Sequence, residues 1–309
     1  MSKVGKMHKA LHNKIDAIRS LAAGSKFSRL LAHPYRYIHA ILFREFTYKR
    51  NKKEKEISCK TFFGQDMCLL LPCSTDIYLT GGKSDESEIR LAKFLVNNLS
   101  LDDTFVDVGA HYGYFTLLGA HLVGKSGKVF SYEAAPRTYK ILKKNIQDIV
   151  NATGNNLAVS DMEGFVSFYE FPTLYSEYNT LKVKQFEKEK WFEEQKPQEV
   201  KVKTIKLDDH LSDLTQPISI IKIDVEGAEH EVLKGFQQYL QKKSPIVVME
   251  YLSSDRESTA HVAAEALMHS LGYLSHAITE SGDLLIIESA ADHISQRGLD
   301  SDNIVFVKA

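Results

Sequence analysis

The residues whose types and spacing could do chemistry begin with Phe105-Val106-Asp107-Val108-Gly109-Ala110-His111-Tyr112-Gly113. An apolar run ending in an Asp, followed by Gly-x-x-x-Gly at the start of a helical pattern, predicts a tight turn. A ligand can approach the backbone closely there, because Gly109 and Gly113 lack Cβ atoms. Such a loop suits a nucleoside-like cofactor. It lacks the G-x-G-x-x-G spacing that seats a pyrophosphate on a helix N-terminus, which weakens a dinucleotide reading without excluding it. The next apolar run ends in Glu133, 24 positions after Gly109. A carboxylate at that strand tip can accept hydrogen bonds from both hydroxyls of a ribose; the bland alternative is a solvated strand end.

A third cluster lies in Ile220-Ile221-Lys222-Ile223-Asp224-Val225-Glu226-Gly227. In doubly wound sheets ligands sit at the carboxyl ends of strands, and Asp224 and Glu226 lie at such an end. They could orient or deprotonate a hydroxyl, stabilise a cationic cofactor, or simply form a charged turn. Glu250 closes the neighbouring run Ile246-Val247-Val248-Met249 and faces the same edge. Asp224 and Glu250 could also hold a divalent cation, and oxygen ligands suit Mg²⁺. His111 and His230 are further candidate bases, although single histidines on helices are more often structural.

These residues need a scaffold that alternates strand and helix. Strand patterns at 104–108, 128–132, 218–223 and 246–249 are each followed by a helical pattern, at 112–123, 136–150, 228–240 and 260–271. Short apolar strands separated by amphipathic helices predict a parallel sheet covered on both faces. Runs at 273–278, 284–287 and 304–307 look like closing strands. Before this body, 4–50 reads as helix with Pro34 in a tolerated first turn, and 57–63 and 67–71 as two strands joined at Gly64. We therefore divide the chain into a helical arm at 1–56 and a body at 57–309, with leading strands in 57–83 and a variable region at 165–217. Within the latter, KVKQFEKEKWFEEQKPQE is too charged for core and reads as a surface helix or lid.

The 309 residues carry 39 Lys+Arg against 40 Asp+Glu, yet the near-zero balance hides an asymmetry. Residues 1–60 hold 15 basic and 4 acidic side chains, a net of +11, and the remainder carries −12. A basic arm on an acidic body suggests an anionic partner, membrane or nucleic acid. With 43% hydrophobic residues the chain can build a packed core, which excludes wholesale disorder. No apolar run is long enough to span a bilayer and no secretory signal opens the chain, so we expect a cytoplasmic protein, peripheral at most at the inner membrane face. Cys59, Cys68 and Cys73 form neither a CxxC pair nor an even set, so reduced thiols are expected.

DVGAHYGYFTLL (107–118), YEAAP (132–136), AVSD (158–161), KTIKLDD (203–209), KIDVEGAEHEVLKG (222–235) and LGY (271–273) together resemble the FkbM-type S-adenosylmethionine-dependent methyltransferases. The resemblance runs from about residue 85 to the C-terminus. It implies a class I methyltransferase Rossmann-like α/β sheet, mostly parallel and seven-stranded with a reversed last strand, here preceded by the helical basic extension. It implies S-adenosylmethionine as donor and an alcohol oxygen as acceptor, often on a sugar. By the same resemblance, Asp107, Gly109, Ala110, His111 and Gly113 bind the cofactor from the first loop, Glu133 and Ala134 from the second, and Ser160 with Asp161 beside the adenine. The family usually has Asn where this chain has His111, and Glu-Pro where it has Glu133-Ala134. Asp224 with Glu226 is the expected catalytic pair.

Three other readings are weighed. An NAD-dependent sugar-modifying enzyme would use the same sheet, against which stands the missing third Gly. A nucleic-acid methyltransferase would employ the basic arm, but the chain has no Asn/Asp-Pro-Pro-aromatic tetrad, and its Pro72-Cys73 precedes the cofactor loop. In a non-enzymatic reading the arm alone is functional. The arm's amphipathic pattern allows packing on the body, a homodimer seam, or contact with an anionic membrane.

Overall fold

The protein is described by a computed structural model covering residues 3–253 and 259–309. Its centre is an eight-stranded sheet. In chain order the strands are β1 (Lys55–Lys60), β2 (Asp66–Leu71), β3 (Thr104–Val108), β4 (Lys128–Tyr132), β5 (Ala152–Asn155), β6 (Ala158–Val159), β7 (Gly164–Glu170), β8 (Gln198–Ile205), β9 (Ile218–Ile223), β10 (Ile246–Leu252), β11 (Tyr273–Ile278), β12 (Leu284–Ile286) and β13 (Ser301–Lys308). The large sheet runs β12-β11-β13-β10-β9-β3-β4-β5. β3, β4, β5, β9 and β10 are mutually parallel, and β13 enters antiparallel between β10 and β11. This is the mostly parallel sheet with a reversed strand that the resemblance implied. The expected seven strands become eight because β12 folds back on β11 as an antiparallel hairpin strand. Smaller sheets pair β1 with β2 and order β6-β8-β7.

Strands β3 and β9 lie at the middle of the sheet, and their apolar runs follow from burial on both faces. Alternate residues enter two cores: Phe105 and Ile220 pack on one side, Val106, Ile221 and Ile223 on the other. Chain order reverses between these two strands, since β4 and β5 extend from one side of β3 and β9 lies on the other. The carboxyl ends of β3 and β9 therefore open the crevice where an open α/β sheet binds ligands.

Several expected elements start or stop elsewhere, for local reasons. The first crossover helix is Tyr114–Val123, because Gly113 at φ +87° is its left-handed N-cap. The next is Pro136–Ile146. The helix expected at 228–240 is two, Glu229–Lys234 and Gln237–Lys243. Gly235 ends the first: its carbonyl accepts from Asp208 N, and a Cβ there would stand 2.0 Å from Ser160 O. The last crossover helix is Thr259–Ser270. The lid at 182–199 forms short turns rather than a regular helix. Trp191 stacks 4.3 Å from Tyr175 and packs on Phe171, Tyr178 and Phe186, so an aromatic cluster pins the charged segment.

The arm is helical but interrupted. α1 (Lys3–Ala23) ends at Gly24, and Ser25 caps α2 (Lys26–Ala32) by accepting from Ser28 N. α3 (Pro34–Leu42) begins at the proline and runs into a π-helical turn, Phe43–Tyr48. Leu11, Ile15 and Ile18 of α1 are buried in the same core as Phe62, Phe94 and Leu95. Around them Lys93 meets Asp16 at 2.6 Å, Arg19 meets Glu86 at 2.9 Å, and His12 bonds Asn97 at 2.7 Å. Among the described residues no helix is long and apolar enough to cross a membrane, and Cys59, Cys68 and Cys73 are free thiols.

Candidate active site

A cleft of about 300 Å³ opens over the carboxyl ends of β3, β4, β9 and β10. Its two halves differ in chemistry. One is walled by Tyr132, Glu133, Ala134, Leu157, Val159 and Phe168. The other gathers Lys83, Glu88, Glu177, Asn179, Asp224, Glu226, Glu250 and Asn303. Gly109 and His111 stand between them.

In the first half, Glu133 is buried and tied to two backbone amides: His111 N donates to Oε2 at 2.8 Å and Ala135 N to Oε1 at 2.9 Å. Burial pushes its carboxyl up to about 8, against the pull of those two donors. A buried carboxylate beside apolar walls fits a ribose with its base stacked alongside. His111 holds φ +49°, a left-handed conformation that Asn tolerates better than most residues. Its Nε2 lies 3.0 Å from Ser176 Oγ and its ring stacks on Tyr112 at 3.8 Å. Burial pulls the imidazole down to about 4, so it is neutral at physiological pH.

The glycines of the first loop serve a different end from the one their spacing suggests. A Cβ on Gly109 would stand 1.7 Å from Asp224 O, and one on Gly113 2.6 Å from Leu142 Cδ1. The missing side chains let the chain close on itself, bringing the loop after β3 against the loop after β9. Backbone bonds seal the seam: Asp224 N donates to Val108 O, and Gly109 N and Ala110 N both donate to Tyr132 O, each at 3.0 Å.

Asp107 does not face the cleft. It is fully buried beneath the loop, accepting from Thr116 Oγ1 at 2.6 Å. Lys222 Nζ stands 3.7 Å from Asp107 Oδ1 and 3.0 Å from Asp224 Oδ2, a buried cation between two carboxylates. Sequence reasoning missed Lys222; its signal was a lysine interrupting an otherwise apolar strand. Burial pushes Asp224 up, but Lys222 overcomes this and holds the carboxyl below its usual range. Glu250 moves the opposite way: burial first, then the charges of Asp224, Glu226 and Glu229, drive it well above the ordinary range. Within the pair a proton is therefore favoured on Glu250 over Asp224.

The turn carrying this pair is held from behind. Glu226 sits at φ +52° and Gly227 at φ +98°. Glu229, fully buried, accepts from Val225 N at 3.1 Å and Gly227 N at 3.2 Å, and its other oxygen meets His261 Nε2 at 3.1 Å. The acidic run of the motif thus divides its labour: Glu229 shapes the turn while Asp224 and Glu226 face the cleft. Oxygens of Asp224, Glu226 and Glu250 lie within 4.8 Å of one another.

Ser160 and Asp161 are not on the cleft wall, where Val159 stands instead. Asp161 turns away to Lys234 of the helix Glu229–Lys234, and Ser160 O packs against Gly235. Gly113 and Ala110 are likewise outside the main cleft, and His230 does not line it. Sequence reasoning also missed the group Lys83, Glu88 and Glu177. Lys83 Nζ lies 2.9 Å from Glu88 and 2.6 Å from Glu177. Lys83 and Glu88 lie five residues apart around the start of the helix Glu86–Asn98, and Glu177 joins them from a distant segment, which no spacing in the chain announces.

The Methyltransferase FkbM domain matches residues 107–275. The chain belongs to this family. A curated relative, Methyltransferase 1 of Beauveria bassiana, is 29% identical over 185 residues, 56% of this chain and 73% of that protein. Among solved structures, the methyltransferase FkbM from Methylobacillus flagellatus KT is 15% identical with a TM-score of 0.43, over 76% of this chain and 52% of that one. Fibrillarin from Aeropyrum pernix, crystallised with bound S-adenosylmethionine, is 11% identical with a TM-score of 0.39 over 71% and 74% of the two chains. The present chain therefore spans about half of the Methylobacillus protein.

As an FkbM methyltransferase the chain uses S-adenosylmethionine, and its own residues fit that cofactor. Glu133 offers a buried carboxyl that ribose hydroxyls could bond, and the lowered carboxyl of Asp224 suits a sulfonium. Ribose hydroxyls favour the carboxylate form of Glu133, whereas the free protein keeps its proton below about pH 8. Binding of S-adenosylhomocysteine near neutral pH is therefore expected to release a proton and to tighten as pH rises toward 8. Calorimetry in buffers of different ionisation heat checks this: enthalpy independent of buffer, or a buffer dependence persisting in Glu133→Gln, would refute it.

Proposed function

We propose that this methyltransferase transfers its methyl group to a hydroxyl oxygen of a polyhydroxylated acceptor, most simply a sugar in a glycan or glycosylated metabolite. The observation that carries the reading is the half of the cleft around Asp224. Lys83, Glu88, Glu177, Glu226 and Asn303 line it with charged and amide side chains, Lys83 pairing with Glu88 and Glu177. A lining this polar favours an acceptor rich in hydrogen-bonding groups over an apolar one.

When bound, S-adenosylmethionine supplies an electrophilic methyl on a sulfonium. The protein's part is mainly alignment, since near-attack positioning can contribute roughly 7 to 11 kcal/mol. Glu133 holds the ribose and the Gly109 seam sets the distance to Asp224. Asp224, kept ionised by Lys222, accepts the hydrogen bond and then the proton of the attacking hydroxyl. Glu226 and Glu250 flank it, and the raised carboxyl of Glu250 favours donating a hydrogen bond to Asp224 over repelling it.

Tracing labelled methyl from S-adenosylmethionine into cellular glycan, glycolipid and nucleic-acid fractions tests the acceptor class. Label confined to RNA or DNA would replace the sugar reading by the nucleic-acid one. The ammonium of Lys222 already meets charge that a divalent cation would otherwise balance at Asp224. Turnover is therefore expected to persist after exhaustive EDTA treatment. Loss of activity restored by Mg²⁺ would give the three carboxylates a metal instead.

A further inference from the structure

α3 is two-faced in a way the body does not use. Its inner side is anchored: Ala40 and the following Phe43 are buried, Arg36 donates to Tyr78 O at 3.1 Å, and His39 Nδ1 lies 3.3 Å from Tyr78 Oη. At helical spacing the opposite side carries Tyr35, Ile38 and Leu42, all exposed. Phe27 and Leu31 of α2, across the break at His33, and Phe46 of the π-helical turn are exposed as well, with Tyr35 78% exposed, Phe46 71%, and Phe27 and Leu31 66% each. A soluble protein seldom leaves so many large apolar side chains together in water without a partner for them.

Charge says which partner. Residues 26–55 hold nine basic side chains and two acidic ones. Lys26, Arg44, Lys49, Arg50, Lys52 and Lys53 are exposed and bracket the apolar row at both ends, and one of the two acids, Glu45, is taken up by Lys49. We propose that α2, α3 and the turn after them form a membrane-docking face that lies in the plane of an anionic lipid surface, apolar row inserted and flanking cations on the headgroups. That is the physics of a monotopic amphipathic helix, in which buried apolar area and headgroup attraction add. A second copy of the chain is the poorer occupant, because a twofold contact through this face would set two strongly positive segments against each other. α1 stays buried against the body, so the docking face is held rigidly by the catalytic domain.

The test uses the full chain and sedimented vesicles, phosphatidylcholine alone against phosphatidylcholine mixed with phosphatidylglycerol. We expect binding to the anionic vesicles only, weakened by salt, and weakened about fivefold for each basic residue neutralised at the surface and more for each one reversed. Leu31→Glu with Phe46→Glu should abolish it, and Lys52→Glu with Lys53→Glu should weaken it, while both variants keep wild-type affinity for S-adenosylhomocysteine, which reports an intact fold. The proposal is overturned by absence of vesicle binding, by equal binding to both vesicle types, or by binding that the variants leave unchanged. A dimer in solution that Leu31→Glu with Phe46→Glu dissociates, without vesicle binding, would assign the face to a second copy.

Discussion

Asp224→Asn is expected to lower kcat by about 10²- to 10⁴-fold, the range lost with a general base, while leaving affinity for S-adenosylhomocysteine nearly unchanged. The substitution keeps the side chain's shape and one oxygen but removes its charge. The turn should survive, because it is held by Asp224 N on Val108 O and by the Glu229 carboxylate on Val225 N and Gly227 N, none of which the change touches. The charge itself has two uses, accepting the hydroxyl proton and facing the sulfonium. Comparing the two ligands separates them: S-adenosylmethionine carries the positive charge and S-adenosylhomocysteine does not. A variant that binds the neutral ligand normally, the cationic one more weakly, and turns over slowly has lost both uses. Full turnover would remove Asp224 from the chemistry.

The parts of the fold and site legible in the sequence are those where burial forces a pattern. β3 and β9 are buried on both faces, so their apolar runs stand out, and Asp224 directly after β9 marks the crevice, whereas Asp107 in β3 does not. β5 was missed because Ala152-Thr153-Gly154-Asn155 lies at the sheet edge and contributes almost no apolar side chain; its pairing with β4 comes from the backbone. The glycine spacing announced a close approach, but what approaches is the carbonyl of Asp224, a contact between segments over a hundred residues apart. Asp161 was expected beside the adenine only through the family resemblance, and its turn toward Lys234 was not legible, because a helix distant in sequence decides it. Glu177 reaches the local pair Lys83 and Glu88 through topology alone.

Lys222→Met should cost about 3 to 5 kcal/mol of stability, the range seen when one partner of a buried ion pair is removed. At this chain length that corresponds to a Tm lower by roughly 5 to 8 °C. Met fills the space of the lysine stem and keeps its contact near the Phe115 ring, where Nζ now sits 5.5 Å from the centroid. What is lost is the charge between Asp107 and Asp224. Burial already pushes Asp107 up, and Lys222 with Thr116 offsets only part of that. Without the lysine, burial also acts unopposed on Asp224, whose carboxyl is depressed only because Lys222 outweighs it. The sign of the pH dependence follows. In the native protein a depressed Asp224 contributes stability that is present above the unfolded carboxyl range and lost as pH falls through the folded value. In the variant both carboxyls would be raised, so stability is retained in acid and lost as pH rises through their folded values. The gap between the two proteins should therefore be wide at neutral pH and close on acidification. Denaturant midpoints measured at neutral pH and near pH 5 check it. A gap of equal size at both, or none at all, would mean that Lys222 fills space in β9 and does not set the charge state of Asp224.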